Sequence, residues 1–180
     1  PKGIIMSVNP INTKELEILA PALFTQEPHS DTSDKYHFIK TIDVIEEIKA
    51  NNWYPVSVKV SNVRDEEKEG FQQHCVRFRH FEDLLNPQDN AVELLLFNSH
   101  DRSKAFSISA GIFRFICANG LVLADSVFET YKIKHLGERD NDVANAVNQI
   151  TAIKDKLMNK INTLSNIKLS QLEKESFAKL

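Results

Sequence analysis

Val56-Ser57-Val58-Lys59-Val60-Ser61 alternates apolar and polar residues without a break. Alternation of period two puts one set of side chains on each face of a β-strand, one for a core and one for the outside. Two further segments extend this reading into a sheet. Phe71 to Arg79 places Val76 and Phe78 on one face and Gln73, Cys75, Arg77 and Arg79 on the other. A third strand is expected over Val92 to Phe97, and its run Leu94 to Phe97 is apolar on both faces, which suits a central strand. Charged residues Arg64 to Gly70 supply the first turn and a Pro-containing loop the second. Before the first strand, Ile42, Val44, Ile45 and Ile48 form a helical stripe over Ile42 to Ala50, with Thr41 as N-cap, Asp43 in the first turn and Asn51-Asn52 as the stop.

Outward from this centre the pattern is mixed. Tyr36 to Ile39 reads as a short strand, Gln26 to Lys35 as a loop, and Thr13 to Ala20 as a short helix stopped by Pro21. After the third strand, Ile108, Ile112, Phe115 and Ile116 predict a helix over Phe106 to Ala118, with Asn119-Gly120 as its left-handed cap. Leu121 to Leu123 and Tyr131 to His135 read as two short strands. Val143, Val147, Ile150, Leu157, Ile161 and Leu164 form a heptad-like stripe broken by Lys154, which predicts one long amphipathic helix from Asn141 to Ser165 and a second helical piece to Lys179. The expected fold is α+β: a mainly antiparallel sheet of three to five strands packed by helices, completed by a long C-terminal helix. Residues 1–35 form an N-terminal extension, 36–140 the core domain and 141–180 a helical region.

The chain has 180 residues, 42% of them hydrophobic, enough for one domain with a real core. Its net charge of −3 excludes binding to nucleic acid by bulk charge, so such a role needs a local basic patch. Cys75 and Cys117 lack zinc-site spacing and read as reduced, packed thiols. The start Pro1 to Met6 is too short for a signal peptide, and no apolar run reaches membrane-spanning length. A cytoplasmic location is expected, and a chain that does not begin with Met reads as a fragment or processed form.

Three features carry candidate chemistry. Lys59, Arg77 and Arg79 share a strand face, and arginines two apart on a strand lie about 7 Å apart, near single-strand phosphate spacing. Their other reading is an ordinary solvated sheet face. The hexad Asn98 to Ser103 precedes the expected helix N-terminus, where it serves either as an anion site or as capping and turn chemistry by Asp101 and Ser103. Arg114 stands in an apolar segment, so its charge must reach the surface or an acid. An enzyme reading rests on His100, Asp101 and Cys117 alone. No G-x-S-x-G, H-E-x-x-H, C-x-x-C or phosphate-cradling glycine loop accompanies them, so a non-enzyme without cofactor or metal is expected.

Ala91 to Phe97, the turn Asn98-Ser99-His100-Asp101, and the segment Gly111-Ile112-Phe113-Arg114-Phe115-Ile116-Cys117-Ala118-Asn119-Gly120-Leu121-Val122 resemble the signature of a phage and plasmid protein family of unknown function. Gln73 to Arg79 resembles that family's preceding strand, and the likeness covers Tyr36 to Asn148. Arg102 departs from it, standing where the family's turn carries glycine. The resemblance implies a setting on prophages, plasmids and other mobile elements, and no settled activity. A second likeness, a helix ending in Asn52-Trp53 followed by three strands and a helix, is similar in element order to single-strand annealing recombinases. That likeness implies single-stranded DNA held along a groove, in rings.

Two functional expectations follow. One is single-stranded DNA binding in recombination or annealing, with Lys59, Arg77 and Arg79 on phosphates, Asn98, His100, Arg102 and Arg114 assisting, and Trp53 or Tyr54 stacking on bases if exposed. The other is a protein-interaction module, such as a counter-defence or regulatory factor, that engages a host or phage protein or a second copy through the C-terminal helix.

Overall fold

In the computed structural model, residues 9–63, 65–86, 91–115 and 122–165 are described. Five strands run in chain order across one sheet: β1 (Trp53–Val60), β2 (His74–His80), β3 (Glu93–Asn98), β4 (Phe106–Phe115) and β5 (Val122–Ile133). Every neighbouring pair is antiparallel, so the topology is a meander with the apolar β3 at its centre. The fold class is α+β.

Among the described residues, five α-helices accompany the sheet: α1 (Thr13–Leu19), α2 (Thr41–Ala50), α3 (Phe81–Leu85), α4 (Asp140–Thr151) and α5 (Lys154–Ser165). The hydrophobic core joins Val76 and Phe78 of β2, Leu94 and Leu96 of β3 and Ile108 of β4 to Ile45 and Ile48 of α2 and Val147 and Ile150 of α4. Leu16 of α1 also belongs to it, so all three expected segments contribute to one core. Helix α2 stops where Asn52 takes a φ of 63°, a left-handed position that Asn tolerates.

Four sequence expectations need correction. Residues 106–115 form a strand, not a helix. Buried Phe106, Ile108 and Ala110 alternate with Ser107 and Ser109, which is period two. Register shifts at Ala110/Gly111 and Ile112/Phe113 then break the phase, and this imitates helical spacing for Ile112 and Phe115. The two short strands expected at its end are one long strand, β5, while Ile116, Asn119 and Gly120 lie outside the described residues. Residues 36–39 are not part of a strand among the described residues; they run as a connection in which His37 N–H donates to the His135 carbonyl at 3.3 Å. Finally, the single long C-terminal helix is two helices, broken at 152–153. The break sets Lys154 against α3, where its Nζ lies 2.6 Å from Glu82, 3.4 Å from Asp83 and 3.0 Å from His80 Nδ1. Of the heptad-like stripe, Val143, Val147, Ile150 and Leu157 are spent on the chain's own core. The helical piece expected beyond Ser165 lies outside the described residues.

Smaller differences are local. A bulge at Val56 removes it from the alternation that Val58 and Val60 keep. Lys40, not Thr41, occupies the N-cap of α2. Among the described residues no helix is long and apolar enough to cross a membrane.

Candidate nucleic-acid interface

The turn after β3 is built on a buried polar knot. Thr41 Oγ1 lies 2.7 Å from His74 Nε2, 3.1 Å from His100 Nε2 and 3.0 Å from Asn98 Nδ2. His74 Nδ1 lies 3.0 Å from the Gln72 carbonyl and donates to it, which leaves Nε2 to accept the Thr41 proton. The Thr41 oxygen then accepts from His100 Nε2–H and Asn98 Nδ2–H, so one hydroxyl uses its proton and both lone pairs. This proton inventory needs both rings neutral. Burial holds His74 down to about 4, against the pull of the Gln72 carbonyl. Burial, then His74 and His135, holds His100 down to about 3.

The pH consequence has a definite sign. Folded pKa values near 4 and 3 lie below the unfolded value of about 6.5, so the unfolded chain binds more protons between them. The stability these rings contribute is complete above about pH 6.5 and is lost as pH falls toward 4 and 3. His74 alone accounts for about 3 kcal/mol at roughly 1.4 kcal/mol per unit. Urea midpoints at pH 7 and 4.5 test this: a large drop is expected in the parent, and a much smaller one in a His74→Gln, His100→Gln variant.

Above this knot the turn is tied on several sides. His100 N–H donates to the Phe71 carbonyl at 2.8 Å, and the His100 carbonyl accepts from His29 N–H at 2.9 Å. Ser99 Oγ accepts from Lys104 N–H at 2.9 Å and donates to the Lys104 carbonyl at 3.1 Å. Asp101 accepts from both Ser103 N–H and Ser103 Oγ. Arg102 stands exposed at the tip with a φ of 67°. This left-handed conformation explains why the resembling family carries glycine there.

The tied turn forms one wall of a hollow of about 360 Å³, lined by Ser33, Tyr36, Arg102, Lys104, Lys134 and His135. A second hollow of about 430 Å³ lies between β5 and α4 and is lined by Tyr131, Lys132, Lys134, Arg139, Asp142 and Gln149. The two adjoin at Lys134. β5 is the last strand of the sheet, and Lys132 on it and Lys134 just past its end are both exposed. Arg139 is committed to Asp142 at 3.0 Å and to the Leu136 carbonyl at 2.9 Å. Among the described residues, Arg102, Lys104, Lys132 and Lys134 form no ion pair.

The basic strand face has another fate. Lys59, Arg77 and Arg79 do share the face away from the core, and Lys59 is exposed. Glu93, only 1% exposed, stands beside the two arginines. Arg79 donates to its Oε1 from Nε at 3.0 Å and Nη2 at 2.7 Å, and Arg77 Nε is 3.5 Å from Oε2. One carboxylate thus faces two guanidiniums inside the sheet, and burial still pushes the Glu93 carboxyl upward despite both.

Other predicted residues are engaged within the fold. Trp53 is fully buried, its Nε1–H donating to the Thr151 carbonyl at 3.2 Å, so the condition set for base stacking is not met. Asn98 and His100 are fully buried and hold the turn from below, and no helix follows that turn to offer an N-terminus. Arg114 lies on β4 opposite Leu123. For the enzyme reading, His100 bonds Thr41, Asp101 bonds Ser103, and Cys117 lies outside the described residues. Cys75 is a free thiol pushed up to about 12 by burial. Among the described residues no group of three His, Cys, Asp or Glu side chains is placed to hold a metal ion. The sequence reading missed Tyr36, Lys104, Lys132, Lys134 and His135. The alternation of Lys132 and Lys134 around Ile133 at an outer strand was the available signal.

Fold and site together define an antiparallel meander domain with a cationic groove at one sheet edge. The chain belongs to the family described as Domain of unknown function (DUF932), whose profile matches residues 28–180. It is similar to UPF0380 protein YafZ of Escherichia coli (strain K12), 26% identical over 177 residues that cover 98% of this chain and 64% of that protein. It is also similar to UPF0380 protein YfjQ of the same organism, 25% identical over 177 residues, with the same coverage of 98% and 64%. The chain thus spans 64% of the length of these curated relatives. No solved structure matches it.

Proposed function

We propose that the chain is a cytoplasmic protein of a mobile element that binds single-stranded DNA, and acts by binding rather than catalysis. The observation that carries this reading is the pair of hollows joined at Lys134, with Arg102, Lys104 and Lys132 around them and no ion pair on any of the four among the described residues. In a chain of net charge −3, such a local concentration of positive charge is what a polyanion needs. Concave hollows of nucleotide size favour a flexible single strand over a stiff duplex. The mobile-element setting draws on the motifs at residues 91–122, which resemble a phage and plasmid family. The phosphate track moves from Arg77 and Arg79 to the edge of β5.

Photo-crosslinking tests the location. A single-stranded oligonucleotide carrying 4-thiothymidine is expected to label peptides spanning 99–105 and 131–139. Labelling confined to 57–59 and 75–79 would return the site to the strand face.

Arg102 ties binding to strain. A left-handed non-glycine residue costs about 1 kcal/mol, so Arg102→Gly is expected to raise stability by about that much in urea unfolding. The same change removes one phosphate contact and is expected to weaken oligonucleotide binding roughly five-fold at about 0.1 M salt.

A further inference from the structure

We infer that Tyr36 is the stacking platform for one base of the bound strand, and that the hollow beside it is a site for a single nucleotide. The inference rests on the proposed DNA-binding reading and gives that groove a chemical specificity. Tyr36 and His135 stack nearly parallel, with ring centroids 4.7 Å apart and planes 15° apart, and both line the 360 Å³ hollow. Both rings are fixed at their polar ends. The Tyr36 O–H donates to the Ser99 carbonyl at 3.0 Å, and His135 Nδ1 lies 2.8 Å from the His37 carbonyl. His135 is nearly buried and Tyr36 half-exposed, so a further ring adds to the stack on Tyr36.

A platform held this way loses little entropy when a flat ring lands on it. Base stacking on a tyrosine is tolerant of sequence, because every base has a π-face. Around the platform stand the other two requirements of a nucleotide. Arg102, Lys104 and Lys134 line the same hollow and supply positive charge for a phosphate, and no carboxylate is among its lining residues. Burial first, then Asp101, pushes the Tyr36 phenol upward, so it stays uncharged beside that phosphate while its O–H remains on the Ser99 carbonyl. The geometry therefore assigns base to Tyr36 and phosphate to the three cations.

The test uses the whole chain and an oligonucleotide carrying 2-aminopurine, whose emission falls when it stacks. Quenching is expected with the parent and with Tyr36→Phe, which keeps the ring. Tyr36→Leu is expected to lose the quenching and to bind roughly 5- to 100-fold more weakly, with an unchanged salt slope. Tyr36→Trp offers a second readout that does not depend on the leucine variant folding: its added emission should fall when an unlabelled oligonucleotide binds. Quenching and affinity that survive in Tyr36→Leu, or a tryptophan at 36 blind to the oligonucleotide, would overturn the platform. Inorganic phosphate competing as well as deoxyadenosine monophosphate would also overturn it, since the base would then add nothing. If the parent binds no oligonucleotide at all, the DNA-binding reading fails first. Salt-dependent binding with a Tyr36-independent signal defeats the platform alone.

Discussion

Changing Lys104 and Lys134 together to glutamate is expected to weaken binding of a single-stranded oligonucleotide at least 25-fold at about 0.1 M salt. The figure follows from counterion release. Each single-strand phosphate contact adds about 0.7 to the slope of log affinity against log salt, and two contacts add about 1.4 decades between 1 M and 0.1 M. Charge reversal goes further than neutralisation, so roughly 25-fold is the floor. Lys134 is the residue the two hollows share and Lys104 lines the first of them, so the pair interrupts the track at its join. Both side chains lie outside the hydrophobic core, and the double variant should unfold at the parent's urea midpoint. A parent-like affinity in this variant would remove the groove from the account.

The second large effect is on stability. Arg79→Ala is expected to destabilise the fold by about 3–5 kcal/mol, because it strips the closest partner from a buried carboxylate. Glu93 is 1% exposed and lies at the centre of the sheet, opposite Arg79 on β2 and Gly111 on β4. Its desolvation is offset by the Arg77 charge, with Nε at 3.5 Å, and by the Arg79 guanidinium, which adds the two short bonds. Adding Glu93→Leu to Arg79→Ala should recover much of the loss, because the orphaned charge is then gone. Urea unfolding of the single and double variants measures both steps. An Arg79→Ala midpoint close to the parent's would mean the pair contributes little, and would free these arginines for the phosphate role expected from sequence.

The same residues show why sequence reading succeeded in some places and failed in others. Strands β1 and β2 were legible because Val58, Val60, Val76 and Phe78 keep a period of two on the side that packs on the core, and β3 because Leu94 to Phe97 is continuously apolar. Strand β4 was misread because two register shifts move its apolar residues out of phase, and local spacing cannot distinguish a bulged strand from a helix. Thr41 fits the N-cap rule by type, yet its hydroxyl is worth more to two histidines and an asparagine brought from 33, 59 and 57 residues away. Glu93 passed unnoticed inside an apolar run, although a lone acid in a central strand must find a cation. Its pairing with Arg79 engages part of the basic face inside the sheet. The turn at 98–103 was found, with Arg102 marked as the residue standing where glycine belongs, and its φ of 67° gives the reason. Lys132 of β5, Lys134 just past it and the Tyr36–His135 stack come together only through the meander, which returns residue 133 to pair with residue 106 and brings residues 36 and 37 beside 135.

The most direct test of the central claim is fluorescence anisotropy of labelled single-stranded and double-stranded oligonucleotides titrated with the chain across a salt series. Binding that prefers the single strand is expected, with log affinity falling linearly as log salt rises. No binding of either strand form at low salt would contradict it.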